Sequence, residues 1–136
     1  MDEGWVVRRE GFLDARAVAA LLKTPGSFDP EPVLTLAREA FGPLEGLGVD
    51  TLTLSPGEGV AELAREGARG GFVLDLDPPQ WRSAWGGLLL FQTGERLQGY
   101  RPVPGALTLF AAAARPLISL LTPGAPPRVS LLGWWV

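Results

Sequence analysis

The chain contains no histidine and no cysteine among its 136 residues. Without an imidazole, Ser–His hydrolysis in its ordinary form is excluded, and so is every metal centre that relies on histidine ligands. Without cysteine there are no disulfides, no thiolate nucleophiles and no thiolate-bound metals. Asparagine is also missing, and Lys23 is the one lysine beside eleven arginines. A shortage of thermolabile residues fits adaptation to heat, but a biased base composition of the gene is the simpler account. Clustered positive charge is lacking too. The net charge is -3, and the only adjacent basic residues are Arg8 and Arg9, so a phosphate-tracking surface and a nucleic-acid partner are not expected. No apolar run approaches the roughly 20 residues of a bilayer span. The longest, around Ala106 to Ala114, is interrupted by Thr108 and closed by Arg115. The acidic start, Met1-Asp2-Glu3, has no apolar stretch behind it, so no signal peptide is expected and the protein reads as soluble, cytoplasmic and not membrane-bound.

What is present points to a folded β-rich domain. Hydrophobic residues make up 46% and charged ones 20%, a balance that supports a core and argues against disorder. The 18 glycines and 13 prolines fall between apolar runs, which is the punctuation of many short strands rather than low complexity. The length suits a single domain over 1–136, with a helical lead-in over 1–48 and a β core over 49–136.

Trp5 to Arg9 reads as a short strand. Asp14 is a good N-cap for a helix over Ala15 to Lys23, in which Val18, Leu21 and Leu22 share a face until Pro25-Gly26. Asp29 as cap and Pro30 in the first turn signal a second helix, with the stripe Val33, Leu36, Ala37, Ala40 and Phe41 ending at Gly42-Pro43. Val49 to Leu54 alternates like a half-buried strand. Val60 to Glu66 is ambiguous between helix and strand. Further strands are predicted at Phe72–Leu76, Leu88–Gln92, Leu97–Tyr100, Ala106–Phe110, Leu117–Thr122 and Val129–Trp135. Counting the doubtful one, eight strands follow Val49, which predicts a sandwich or barrel.

The C-terminal succession carries a resemblance. Trp81, Trp85 and Gly86-Gly87 lead into Leu88-Leu89-Leu90-Phe91. Pro104-Gly105-Ala106-Leu107-Thr108-Leu109-Phe110 follows, and Arg128-Val129-Ser130-Leu131-Leu132-Gly133-Trp134-Trp135 closes the chain. This resembles the iron(II)/2-oxoglutarate-dependent oxygenases, the prolyl 4-hydroxylase-like branch in particular. The resemblance implies a mainly β (α+β) fold: a double-stranded β-helix, or jelly roll, with two N-terminal helices packed on one sheet. It further implies that the first two iron ligands of the family fall within Gly59 to Ala64, at Ala61 and Leu63, and the third at Pro116. None of these side chains carries a donor atom. The nearest carboxylates, Glu62 and Glu66, have no nitrogen partners, so Fe(II) is not expected to bind and no cofactor is expected. Arg128 and Ser130 match the family's Arg-x-Ser, whose side chains hold the distal carboxylate of 2-oxoglutarate, leaving that acid a candidate ligand.

Two readings of Arg128 stand side by side: a carboxylate anchor sharing a strand face with Ser130, and a solvated residue at a strand edge after Pro126-Pro127. Gly86-Gly87 reads as a bend for close strand approach rather than a phosphate loop. Asp75 and Asp77 are formal candidates for acid–base work, with Asp77 better suited to capping the turn at Pro78-Pro79. Glu62 or Glu66 serving a metal-free enzyme is the remotest option. On β alternation Trp134 shares a side with Arg128, Ser130 and Leu132. Trp135 faces the other way, where either the two helices cover it or it marks an oligomer or partner surface. The expected function is a non-catalytic relative of the oxygenases that has lost its iron site and binds a small carboxylate at Arg128 and Ser130. The alternative is a structural or protein-interaction module with a filled barrel.

Overall fold

The computed structural model describes residues 5–136; the acidic start at Met1-Asp2-Glu3 lies outside them. Nine strands and two α-helices follow one another as β1 (Val6–Arg9), α1 (Ala15–Lys23), α2 (Glu31–Phe41), β2 (Leu47–Leu54), β3 (Ala61–Glu62), β4 (Gly70–Asp77), β5 (Leu89–Thr93), β6 (Arg96–Tyr100), β7 (Leu107–Ala111), β8 (Leu117–Ile118) and β9 (Arg128–Trp135). They form a five-stranded sheet ordered β1-β7-β4-β9-β2 and a four-stranded sheet ordered β3-β8-β5-β6. Every strand pair is antiparallel. The two sheets make the jelly roll, and β1 extends the larger sheet through its pairing with β7.

The larger sheet separates two cores, and strand alternation assigns each residue to one of them. Phe72, Leu74, Leu76, Leu107, Leu109, Leu131 and Trp135 point outward and pack under Val18 and Leu21 of α1 and Val33 and Ala37 of α2. Val73, Phe110 and Leu132 point inward and meet Leu89, Phe91 and Ile118 of the smaller sheet. Trp134 joins this inner cluster, whereas Trp135 is 0% exposed beneath the helices. Of its two sequence readings, Trp135 therefore takes the covered one, and the oligomer surface expected there is corrected: no part of that side chain reaches the surface. Its ring meets Phe41 edge-on at 5.2 Å, and Phe41 meets Trp5 in the same way at 5.1 Å.

Local chemistry accounts for the boundaries. Asp14 Oδ1 accepts the Ala17 N–H at 2.8 Å and starts α1 as expected. In α2 the cap position belongs to Pro30, and Asp29 Oδ1 instead accepts the Glu31 N–H at 3.0 Å. Proline has no N–H and its fixed φ already suits a helix, so the start moves one residue along. The ambiguous stretch from Val60 resolves into the two-residue strand β3, after which Leu63 N–H donates to Pro116 O at 3.0 Å. The strand expected over Leu117–Thr122 is cut to Leu117–Ile118. Beyond it the chain runs beside Gly86 and Gly87, both at positive φ, and only an isolated bridge, Gly86 with Leu121, survives. A Cβ on Gly86 would collide with Leu120 O, so the close approach expected of this pair is present. Among the described residues no helix is long and apolar enough to cross a membrane.

Candidate functional site

A polar layer crosses the inner face of the larger sheet. In β9, Arg128 and Ser130 lie two residues apart and point into the barrel, both 1% exposed. Across the strand pair Asp75 of β4 stands opposite Ser130. In β7, Thr108 stands opposite both Val73 of β4 and Arg8 of β1. Four neighbouring strands thus bring five polar side chains, Arg8, Thr108, Asp75, Arg128 and Ser130, to one level of the interior. The solvated reading of Arg128 is thereby overturned: its side chain has 0% exposure.

The two arginines are treated differently. Arg8 Nη1 donates to Thr108 Oγ1 at 2.8 Å, and its Nη2 donates to Asp75 Oδ2 at 3.2 Å and to Arg101 O at 2.8 Å. The guanidinium also lies over the Tyr100 ring, 4.9 Å from its centre. Asp75 Oδ2 accepts the Val103 N–H as well, at 3.2 Å. Arg128 has no such set. Its Nη2 lies 3.1 Å from Asp75 Oδ1, within ion-pair distance but without hydrogen-bond alignment. Among the described residues Nε, Nη1 and Nη2 of Arg128 and Oγ of Ser130 have no hydrogen-bond partner.

This arrangement carries an electrostatic cost. Two guanidiniums against one carboxylate leave one positive charge uncompensated in a low-dielectric interior. Burial pushes the Arg128 guanidinium below its ordinary pKa, the charge on Asp75 opposes that push, and the charge on Arg8 adds to it. Unpaired buried donors in a native interior ask for an acceptor. A carboxylate supplies two acceptor oxygens matched to the guanidinium fork, so the side chains present fit one.

They do not fit iron. Ala61 and Leu63 pack against the inner apolar cluster and Pro116 is buried. The Leu63–Pro116 backbone bond brings the two chain segments together, yet neither those side chains nor Ala61 has a lone pair to give. Glu62 and Glu66 are exposed. Among the described residues no three His, Cys, Asp or Glu side chains are grouped to hold a metal. The mouth of the barrel is instead dressed with Trp134, whose Nε1 donates to Leu63 O at 2.8 Å and whose ring lies 4.0 Å under the Arg65 guanidinium. A surface cleft of about 340 Å³ borders this mouth at Leu52, Ala61, Leu63 and Trp134; Arg128 and Ser130 do not line it.

Sequence reasoning paired Arg128 with Ser130 but missed Asp75 as its ion partner and Arg8 altogether. A signal was available. Asp75 is a lone charge inside the apolar run Phe72–Leu76, on the same strand face as Val73, and a charge so placed needs a buried cation.

No protein-family model and no curated protein sequence matches the chain; solved structures do. The double-stranded β-helix with its outer helices is, first, the architecture of the 2-oxoglutarate/iron(II) oxygenases. More narrowly, it is similar to a Pseudomonas putida prolyl-4-hydroxylase, with a TM-score of 0.72 and 21% identity over 98% of this chain and 92% of that one. It is also similar to the viral collagen prolyl hydroxylase of Paramecium Bursaria Chlorella virus-1 in its 2-oxoglutarate complex (TM-score 0.68, 11% identity, covering 96% and 94%). A third is an oxidoreductase of the 2OG-Fe(II) oxygenase family from Burkholderia pseudomallei (TM-score 0.68, 12% identity, covering 96% and 83%). The chain has the prolyl 4-hydroxylase-like oxygenase fold.

Proposed function

We propose that this protein is a non-catalytic relative of the 2-oxoglutarate/iron(II) oxygenases that binds a small carboxylate at Arg128 and Ser130 without metal. One observation carries the reading: a fully buried guanidinium whose Nε and Nη1 have no hydrogen-bond partner among the described residues, beside a hydroxyl that also lacks one, in a cluster with an excess positive charge. The donor-free side chains of Ala61, Leu63 and Pro116 support the loss of iron chemistry. A second reading, a partner-binding module with a filled barrel, draws on the complete enclosure of Arg128 and on Asp75 as a carboxylate already at its side.

Calorimetric titration of the metal-free chain with 2-oxoglutarate separates them. Saturable binding that Arg128→Met abolishes is the expected result, and its absence favours the filled module. Metal analysis runs in parallel: stoichiometric iron accompanied by consumption of 2-oxoglutarate sinks the non-catalytic assignment.

A further inference from the structure

Asp75 distinguishes the two arginines. Its Oδ2 is held by Arg8 and by the Val103 N–H, while Oδ1 lies against Arg128 Nη2 without hydrogen-bond alignment. Arg8 spends its donors on Thr108, Asp75 and Arg101 O, and its face on Tyr100. Free capacity for an incoming anion therefore resides in Arg128 and Ser130 alone, beside a fixed negative oxygen. Resting on the carboxylate-site reading, we infer that Arg8 and Asp75 are specificity-determining residues that restrict this site to one singly charged carboxylate group and reject doubly charged oxyanions such as sulfate.

The charge balance supplies the reason. Arg8, Arg128 and Asp75 together leave one positive charge, which one carboxylate brings to zero. A single oxyanion group carrying two charges would leave an uncompensated negative charge at that point, next to Asp75 Oδ1, where like charges are strongly disfavoured. The planar fork of Arg128 offers paired donors to a planar carboxylate. Beyond the polar groups the setting turns apolar: Leu54 lies directly across the strand pair from Arg128, and a Cβ on Gly87 would already touch the arginine's Cδ. The favoured ligand is a carboxylate on a small, largely apolar body.

The test is calorimetric titration of the chain with butyrate, a singly charged carboxylate on an apolar body, in sodium chloride and then in sodium sulfate at matched ionic strength. In the wild type, butyrate binds and sulfate does not compete. Sulfate displacing butyrate at equal concentration overturns the inference while leaving an anion site, and hence the carboxylate reading, in place. No binding of either anion removes both. In Asp75→Asn the discrimination between butyrate and sulfate is expected to shrink at least about tenfold; an unchanged ratio counts against the inference. Should that variant not fold, Arg8→Gln brings the cluster to neutrality with Arg128 and Ser130 intact. Butyrate affinity is then expected to fall by about tenfold or more, and undiminished affinity overturns the assignment.

Discussion

Asp75 is the residue on which the interior charges depend. Its carboxylate stands within ion-pair distance of both Arg8 and Arg128, so replacing it by alanine leaves two buried cations facing each other. Removing one partner of a buried pair typically costs about 3–5 kcal/mol. Asp75→Ala is expected to lose that much in urea unfolding, while the exposed pair Arg65–Asp50, at 2.9 Å, changes stability by at most about 1 kcal/mol when broken. Loss of Asp75 with little effect would show that the fold does not depend on these ion pairs. Asp77 behaves in the opposite sense. Partial burial raises its pKa above the ordinary 3.8, so the folded state holds its proton more tightly than the unfolded chain does. The stability this gives is present below the unfolded value and is lost as pH rises through the folded one. Asp77→Asn is accordingly expected to gain stability relative to the wild type at pH 7, with the gap closing as the pH falls below about 3.8; a gap independent of pH would refute the cause.

At the scale of elements, β4 and β9 hold the molecule together, and glycine lets them approach. A Cβ on Gly133 would run into the ring of Phe72, and one on Gly71 would meet Gly133 O. The remedy for Gly133→Ala is to push Phe72 out of a fully buried position, an overpacking that costs about 1–3 kcal/mol and is readable as a lower melting temperature; an unshifted midpoint would mean the ring has room. Much at this scale was legible. The alternation of β2 and β9, the glycine and proline stops, and the apolar stripes of α1 and α2 reported their own burial, except that Leu22, expected on the α1 stripe, lies 40% exposed. The inward and outward split of Trp134 and Trp135 followed from period two alone. What stayed hidden was long-range. Nothing local to Arg8 says that its strand pairs with β7, and only that pairing brings it to Thr108 and Asp75. Likewise β8 ends early because of Gly86 and Gly87, about thirty residues away in the chain.

Across the whole molecule, the large sheet acts as a wall between an outer layer that is apolar apart from the unpartnered Trp135 Nε1 and an inner layer that carries buried charge. The two can be perturbed separately. Phe41 links α2 to the sheet through its edge-on contacts with Trp5 and Trp135, so Phe41→Ala is expected to cost about 2–4 kcal/mol without altering the carboxylate binding proposed at Arg128. An equal loss of binding would mean that the wall transmits strain and the layers are not independent. The enclosure of Arg128 has a kinetic corollary. A guanidinium with no accessible surface is reached only after the groups that cover it swing aside, so arrival of any solute is gated by the protein's own breathing. Observed association rates would then level off as solute concentration climbs, with the plateau timing how often the barrel opens.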